Sequence, residues 1–375
     1  MSGIPTWELF QDISYHGEPP PCVLVQEGWI EDEHDIILKK KDEISAFEFA
    51  NEWELRKKIT NPYEAIFSTS DTKSFPSLAL VSPLSRSYFK MVEMSYVADI
   101  WESIKMPIIS AHICEGPGGF LQCIVEQAKE RGKLKNSYAM TLKSTKSQIP
   151  GWKRSSKFLK KHPEIELLYG KDMTGNILLR GNQDSFCETA RDAAIFTADG
   201  GFDFSTDYTK QEEHSFHLVT ASFSIGLRCL AVGGTMIIKL FDIYSPVMLD
   251  LILGTAANFE SFILYKPATS RPCNSERYFI GKGYKGRPYA RSWIEHLHIA
   301  QVKHLERPLT RLCDIPGDSP YIAAIKEQIE WQESVQIESI RKAMFMNKED
   351  IEGYVKEAIE KSVDWCKTFS VPFCV

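Results

Sequence analysis

Between residues 107 and 283, short runs of β-branched and apolar residues alternate with helical stretches, and this alternation restricts the fold more than any other feature of the chain. The strand candidates are 107–113, 138–142, 165–169, 193–198, 235–240, 262–265 and 277–280, with helices near 119–131, 210–231 and 245–257. Parallel neighbours need a crossover, so strand, helix, strand repetition builds a mostly parallel sheet covered on both faces. The last two strand candidates are joined by a short segment with Pro, Ser and Asn, and they read as a hairpin.

The 375 residues leave room for more than this core. Residues 1 to about 80 form an extension with a helix at 42–58 that ends before Asn61-Pro62. From 291 onward the pattern is helical, clearest in 320–345 and 349–367, with a break at Pro316-Gly317. With no internal repeat or low-complexity linker, the flanks are expected to pack on the core, giving a division at 1–80, 81–290 and 291–375.

At 43% hydrophobic and 25% charged residues, the composition is that of a folded globular chain and excludes disorder as its main theme. No apolar run is long enough to span a membrane, and MSGIPTWELF lacks a signal-peptide pattern, so an intracellular protein is expected. The nine cysteines form no CxxC pair and no Cys/His quartet, which predicts buried thiols and no metal site.

The net charge of -6 is unevenly spread. Residues 1–34 hold seven acidic residues and no Lys or Arg, whereas 129–161 hold eleven Lys/Arg against Glu130 alone. A second basic run, 265–291, has seven Lys/Arg against Glu276. Two basic stretches in an acidic chain suggest a polyanion footprint, and a solvated surface is the plain alternative.

The first core strand runs into Cys114-Glu115-Gly116-Pro117-Gly118-Gly119-Phe120 and then a helix. Glycines at such a turn let the backbone approach a ligand, and the helix N-terminus favours polar or anionic groups. The spacing is not G-x-G-x-x-G, and Thr141-Leu142-Lys143 stands where a dinucleotide site needs a ribose-binding acid, so a dehydrogenase is disfavoured. Asp199-Gly200-Gly201 follows the fourth strand and Lys239 closes the fifth. Ligands in open α/β sheets bind beyond the carboxyl ends of the strands, so Asp199 and Lys239 are expected to share one crevice with the glycine turn. The apolar run before Lys239 would lower its pKa by desolvation and nearby carboxylates would raise it, so the net sign stays open.

In order and spacing, SYFKM, CEGPGGF, TADGGF, GGTMIIKLFD and SRPCNSERY resemble the FtsJ-like ribose 2′-O-methyltransferases, and most closely the eukaryotic and viral mRNA cap 2′-O-methyltransferases. NPYE at 61–64 and AMTLK at 139–143 are similar to that cap subgroup. The resemblance implies a Rossmann-like S-adenosylmethionine-dependent α/β fold with a mostly parallel seven-stranded sheet, a C-terminal β-hairpin, an N-terminal extension and C-terminal helices. It places a Lys-Asp-Lys-Glu catalytic tetrad on Lys90, Asp199, Lys239 and Glu276, and S-adenosylmethionine contacts on Ser85, Cys114, Glu115, Gly116, Pro117, Gly118, Gly119, Phe120, Asp172, Met173 and Asp199. Departures from the family pattern are Ser85, where cap enzymes often have Asn, His112, near which an acid is common, and Glu115, where a small residue is usual.

The implied reaction is S-adenosylmethionine-dependent methyl transfer to the ribose 2′-OH of the first transcribed nucleotides of capped mRNA, with no metal. The same reaction on ribosomal or transfer RNA, or a non-catalytic cap-binding subunit of a capping complex, are the alternatives. Capped RNA is then the partner, alongside other capping or transcription components, with a nuclear address for a cellular enzyme and a cytoplasmic or virion one for a viral enzyme. RNA contacts are expected from Lys143, Lys153, Arg154 and Lys157 in the basic run, from Thr209, Arg271, Asn274, Ser275 and Glu276 near the tetrad, and by resemblance from Lys41 and Lys57. Trp152, Phe204 and Tyr208 are candidate stacking partners for a base.

Overall fold

A computed structural model describes residues 13–16, 18–26, 35–45, 52–68, 75–104, 107–143, 151–201 and 210–374. Its strands are β1 (Ile13–Ser14), β2 (Cys22–Val25), β3 (Ile108–Ile113), β4 (Leu134–Met140), β5 (Ile165–Leu168), β6 (Ala193–Ala198), β7 (Leu230–Leu240), β8 (Phe259–Tyr265), β9 (Arg277–Tyr284) and β10 (Arg311–Cys313). The helices are α1 (Asp35–Ser45), α2 (Trp53–Ile59), α3 (Ser87–Val97), α4 (Ile100–Ser103), α5 (Gly119–Glu130), α6 (Ser156–Lys161), α7 (Arg180–Thr189), α8 (Gln211–Cys229), α9 (Pro246–Ala256), α10 (Arg287–Glu306), α11 (Pro320–Met344) and α12 (Ile351–Thr368).

The main sheet has the order β1-β8-β9-β7-β6-β3-β4-β5, in which β5, β4, β3, β6 and β7 are mutually parallel. The chain moves outward from β3 to β5 and then returns to β6 on the other side of β3, so the strand order reverses between β3 and β6. A crevice opens at the carboxyl ends of strands on either side of such a reversal. Strand β9 inserts antiparallel between β7 and β8, which brings its amino end to the edge where the parallel strands finish. The expected hairpin is present, and the sheet has eight strands rather than seven because the two-residue β1 adds antiparallel to β8.

Side chains alternate across the sheet with a period of two, so each strand feeds two cores. Met236, Ile238 and Leu240 of β7 join Phe196 beneath α8 and α9, whereas Ile237 joins Ile195, Tyr278 and Ile280 against α3, α5 and α12. Lys239 therefore shares the face of Ile237, toward α3. The flanks pack onto this body. Strand β2 pairs with β10, Ala79 bridges Phe373, and the buried Glu93 carboxylate on α3 accepts from Trp365 Nε1 of α12 at 3.1 Å.

Candidate active site

The turn after β3 is built for close approach from one side. Gly118 has φ of +105°, which L side chains rarely adopt, and an added Cβ would lie 3.1 Å from the Trp152 ring. The Gly116-Pro117 peptide is cis and Cys114 is left-handed, with φ of +57°. Glu115 works from beneath: its buried carboxylate accepts from the Leu121 backbone N at 3.0 Å and from the Thr197 hydroxyl. The carboxylate is thus used to hold the first turn of α5, which leaves Glu115 only its backbone to offer the expected cofactor contact. Phe120 is likewise fully buried, its ring 5.7 Å from that of Tyr278.

Other expected cofactor residues ring this turn or its neighbours. A Cβ on Gly119 would meet the Ser85 hydroxyl, which is 2.6 Å from that of Ser87. Asp172 and the exposed Met173 lie beyond β5, in a turn tied to the end of β4 by Lys143 N donating to Thr174 O at 2.7 Å. The Asp172 carboxylate accepts from the Thr174 hydroxyl, the Thr174 amide and Asn182 Nδ2, which holds its pKa below the usual value.

The four tetrad positions come together across four elements. Asp199 follows β6, Lys239 is the penultimate residue of β7, Lys90 is on α3, and Glu276 immediately precedes β9. Lys239 Nζ lies 3.2 Å from Asp199 Oδ1 and donates to the Asp199 carbonyl at 3.1 Å. Lys90 Nζ lies 2.5 Å from Glu276 Oε1. The register pairs Lys239 with Tyr278, and the Tyr278 hydroxyl stands 3.0 Å from Asp199 Oδ1 and 3.1 Å from Glu276 Oε1. Tyr278 thus joins the two ion pairs into one network, sharing its single proton between two carboxylates. The bridging tyrosine was absent from the sequence-based site, although period-two alternation puts residues 276 and 278 on one face.

Burial opposes charge on Lys239, Glu276 and Tyr278, and their neighbours decide the outcome. Desolvation pulls Lys239 down, but Asp199 and Glu276 outweigh it and the net shift is upward, which answers the question of sign in favour of an ammonium. Glu276 is pushed up by burial and pulled further down by Lys90 and Lys239, so it stays a carboxylate. Burial and the two carboxylates drive the Tyr278 phenol well above its ordinary value, which keeps its proton in place. A Cβ on Gly201 would lie 3.3 Å from Lys239 Nζ, so glycine there keeps the approach to the amine open.

The expected RNA contacts divide. Lys143, Lys153, Arg154 and Lys157 are exposed, as a phosphate track requires. Lys41 is not available: it is buried, with Nζ 2.6 Å from both Asp242 carboxylate oxygens. Lys57 is also buried, paired to Glu54 at 2.5 Å. Arg271 makes a two-pronged contact with Glu64 at 3.1 and 2.9 Å, and the Ser275 hydroxyl is given to Gln211. The Asn274 side chain is part-buried beside them. Trp152 is buried against Leu121 and Phe158, so it flanks the glycine turn instead of stacking on a base. Phe204, Tyr208 and Thr209 lie outside the described residues.

Glu64, the acid of NPYE, is a further residue that sequence reasoning left without a role. Besides Arg271 it accepts from Asn61 Nδ2 at 2.7 Å and lies 3.6 Å from Arg86, whose guanidinium donates to the carbonyls of Tyr63, Phe67 and Thr269. The N-terminal extension is thereby fixed to the segment that carries Glu276. Glu64→Ala leaves two guanidinium groups without their anion and should lower the unfolding free energy by about 3 kcal/mol, the lower end for a broken buried pair because Arg271 is partly exposed. A shift of the urea midpoint measures this, and an unchanged midpoint would mean that water replaces the carboxylate at no cost.

A glycine turn after β3, an acid after β6 and a lysine-carboxylate network at the end of β7 and the start of β9 converge at one edge of the sheet, and the sequence pattern around them decides the family. The pattern of the FtsJ-like methyltransferases matches residues 83–284, just over half of the chain. The chain belongs to the FtsJ-like methyltransferase family. It is similar to the cap-specific mRNA (nucleoside-2′-O-)-methyltransferase 1 of Trypanosoma brucei brucei, 30% identical over 222 residues that make up 56% of this chain and 58% of the relative. The human protein of the same name is 30% identical over 278 residues, 67% of this chain and 30% of the relative. Among solved structures, human methyltransferase-like protein 13 in complex with SAH covers 64% of this chain at 9% identity with a TM-score of 0.35. Lys90, Asp199, Lys239 and Glu276 all lie within the span that matches this FtsJ-like methyltransferase family, and the described residues hold no cluster of metal-binding side chains.

Proposed function

We propose that this FtsJ-like methyltransferase transfers a methyl group from S-adenosylmethionine to the ribose 2′-OH of the first transcribed nucleotides of capped mRNA. The observation that carries the reading is the joined network of Lys90, Asp199, Lys239 and Glu276 beside the glycine turn. The names of the relatives at 30% identity point to the same substrate class.

The crevice fits the cofactor that the family implies. An added Cβ would strike the Gly151 backbone at Gly116, the Trp152 ring at Gly118 and the Ser85 and Ser87 hydroxyls at Gly119, so glycine at all three positions is what lets the turn keep the tight course of a cofactor cradle. Ser85, Cys114, Gly116, Gly118, Asp172, Met173 and Asp199 would hold it, Glu115 bracing the turn from below. When bound, the sulfonium supplies an electrophilic methyl with its own leaving group. The chain's part is to orient a ribose oxygen and take up its proton. Lys239 is the acceptor, and it must first give up the proton that Asp199 and Glu276 stabilise on it. Asp199 aims the amine, Lys90 and Glu276 fix the opposite side, and Tyr278 keeps the two carboxylates at a set separation.

Exposed Lys153, Arg154 and Lys157 would hold RNA by its phosphates, which carry no base information. Each phosphate contact on a single strand adds about 0.7 to the slope of log affinity against log salt, so replacing all three with Gln should flatten the slope by up to about 2. Cofactor binding should not change. A salt slope equal to the parent's would return these residues to a solvated surface. Direct detection of the product, with labelled S-adenosylmethionine and a short capped RNA, tests the function as a whole.

A further inference from the structure

Glu276 sits at the end of an excursion from the sheet, and its position depends on what anchors that excursion. The chain leaves β8 after Tyr265 and returns at Arg277, the first residue of β9, with Tyr265 opposite Tyr278 in the register. Lys266, the first residue outside β8, turns its ammonium back on the far end of the excursion. Its Nζ donates to the Glu276 carbonyl at 2.9 Å and to the Asn274 carbonyl. One side chain therefore ties the start of the loop to the two backbone oxygens that flank Ser275.

We propose that Lys266 is a positioning residue for the methyl transfer: by holding the carbonyls of Asn274 and Glu276 it fixes the main chain from which the Glu276 carboxylate reaches Lys90 and the Tyr278 hydroxyl. The role rests on the reading of the tetrad given under Proposed function. It is distinct from the tetrad, because Lys266 touches backbone oxygens and no reacting atom. Without the ammonium, two enclosed carbonyls lose their donor, and an uncompensated polar group is relieved most readily by moving the loop. The carboxylate would move with it, and displacement of about 1 Å in a catalytic group costs up to about a hundredfold in rate.

The surroundings make the anchor sensitive to charge. Burial pulls the Lys266 pKa down to about 7, with Arg277 and Lys90 adding to the fall and Glu276 and Cys273 opposing it. On its other side Lys266 borders a cavity of about 200 Å³, across which Lys342 on α11 and Glu357 and Lys361 on α12 face it. Lys342 and Lys361 are both paired to Glu357, at 3.5 and 2.8 Å. The anchor is a full cation below about pH 7 and weakens as pH rises through that value. Arginine keeps its charge at any working pH, and the cavity gives its larger head room.

Lys266→Met and Lys266→Arg test the proposal. Lys266→Met should lower kcat on capped RNA by about tenfold or more, with RNA KM and cofactor Kd unchanged. Lys266→Arg should keep the rate, and its kcat divided by that of the parent should rise with pH, from near unity at pH 6 to about threefold above pH 8, a ratio in which the other ionisations cancel. A folded Lys266→Met protein with parental kcat, or a loss confined to KM, overturns the proposal, as does a ratio for Lys266→Arg that is flat with pH. The second arm needs no turnover: in the substrate-free protein, amide exchange at residues 273–277 should quicken by at least about tenfold in Lys266→Met while β6 stays protected. Unchanged exchange there removes the anchor whatever the substrate. A parent protein that does not methylate capped RNA refutes the functional reading instead, and the exchange arm still decides the anchor.

Discussion

Lys239→Ala should lower methyl transfer by at least about a hundredfold, the lower end for a lost general base, while cofactor affinity stays at the parental value. The amine lies 3.2 Å from Asp199 on the face of β7 that looks toward α3, and its hydrogen bond runs to the Asp199 carbonyl at 3.1 Å. The parent's own pH profile carries a second expectation. Lys239 is held above its ordinary 10.5 by Asp199 and Glu276, so the neutral amine is a small minority at neutral pH. If that minority accepts the ribose proton, the rate should climb about tenfold per pH unit across the alkaline range until the protein itself fails. A flat profile would assign Lys239 to stabilising the developing oxyanion as a cation, and Lys239→Ala turning over at the parental rate would remove it from the chemistry.

Gly118→Val should abolish measurable cofactor binding in calorimetry while circular dichroism still reports a folded protein. With φ at +105°, a β-branched residue is strained by about 1 to 3 kcal/mol before any contact is counted. The added Cβ would then stand 3.1 Å from the Trp152 ring, which is packed against Leu121 and Phe158 and has little freedom to retreat. The turn must shift, and the shift falls on the atoms that form the cradle. Binding at parental strength would place the cofactor away from this turn.

The parallel core was legible because its signals are local. Ala193–Ala198 and Ile165–Leu168 are short apolar runs, and the glycine turn announces its own strand-to-helix junction. Strand β4 begins at Leu134, earlier than the 138–142 expected, because Lys135 and Asn136 are tolerated where the strand is partly open to solvent. The single helix expected over 42–58 is represented by α1 and α2, with residues 46–51 between them outside the described set. Strand β1 has two residues and no periodicity to read.

The site shows the same boundary between local and distant information. Asp199 and Lys239 follow from their places at strand ends, since an open parallel sheet sends those ends to one edge. Lys90 and Glu276 came only from resemblance. One lies on a helix ahead of the sheet, and the other reaches the crevice because β9 runs against β7. Lys41 and Arg271 look from sequence like any surface cations. Their partners, Asp242 and Glu64, are 201 and 207 residues away along the chain, and no local pattern marks such pairs.

The identity of the methylated atom decides what this chain does. A capped RNA of defined sequence, incubated with the chain and S-adenosylmethionine carrying a labelled methyl group, can be digested to single nucleotides and the label located. Label is expected on the ribose 2′-oxygen of the first transcribed nucleotides and none on an RNA whose target riboses are replaced by deoxyribose. Label on a base or in the interior of the RNA, or no transfer by a folded protein that binds the cofactor, would contradict that expectation.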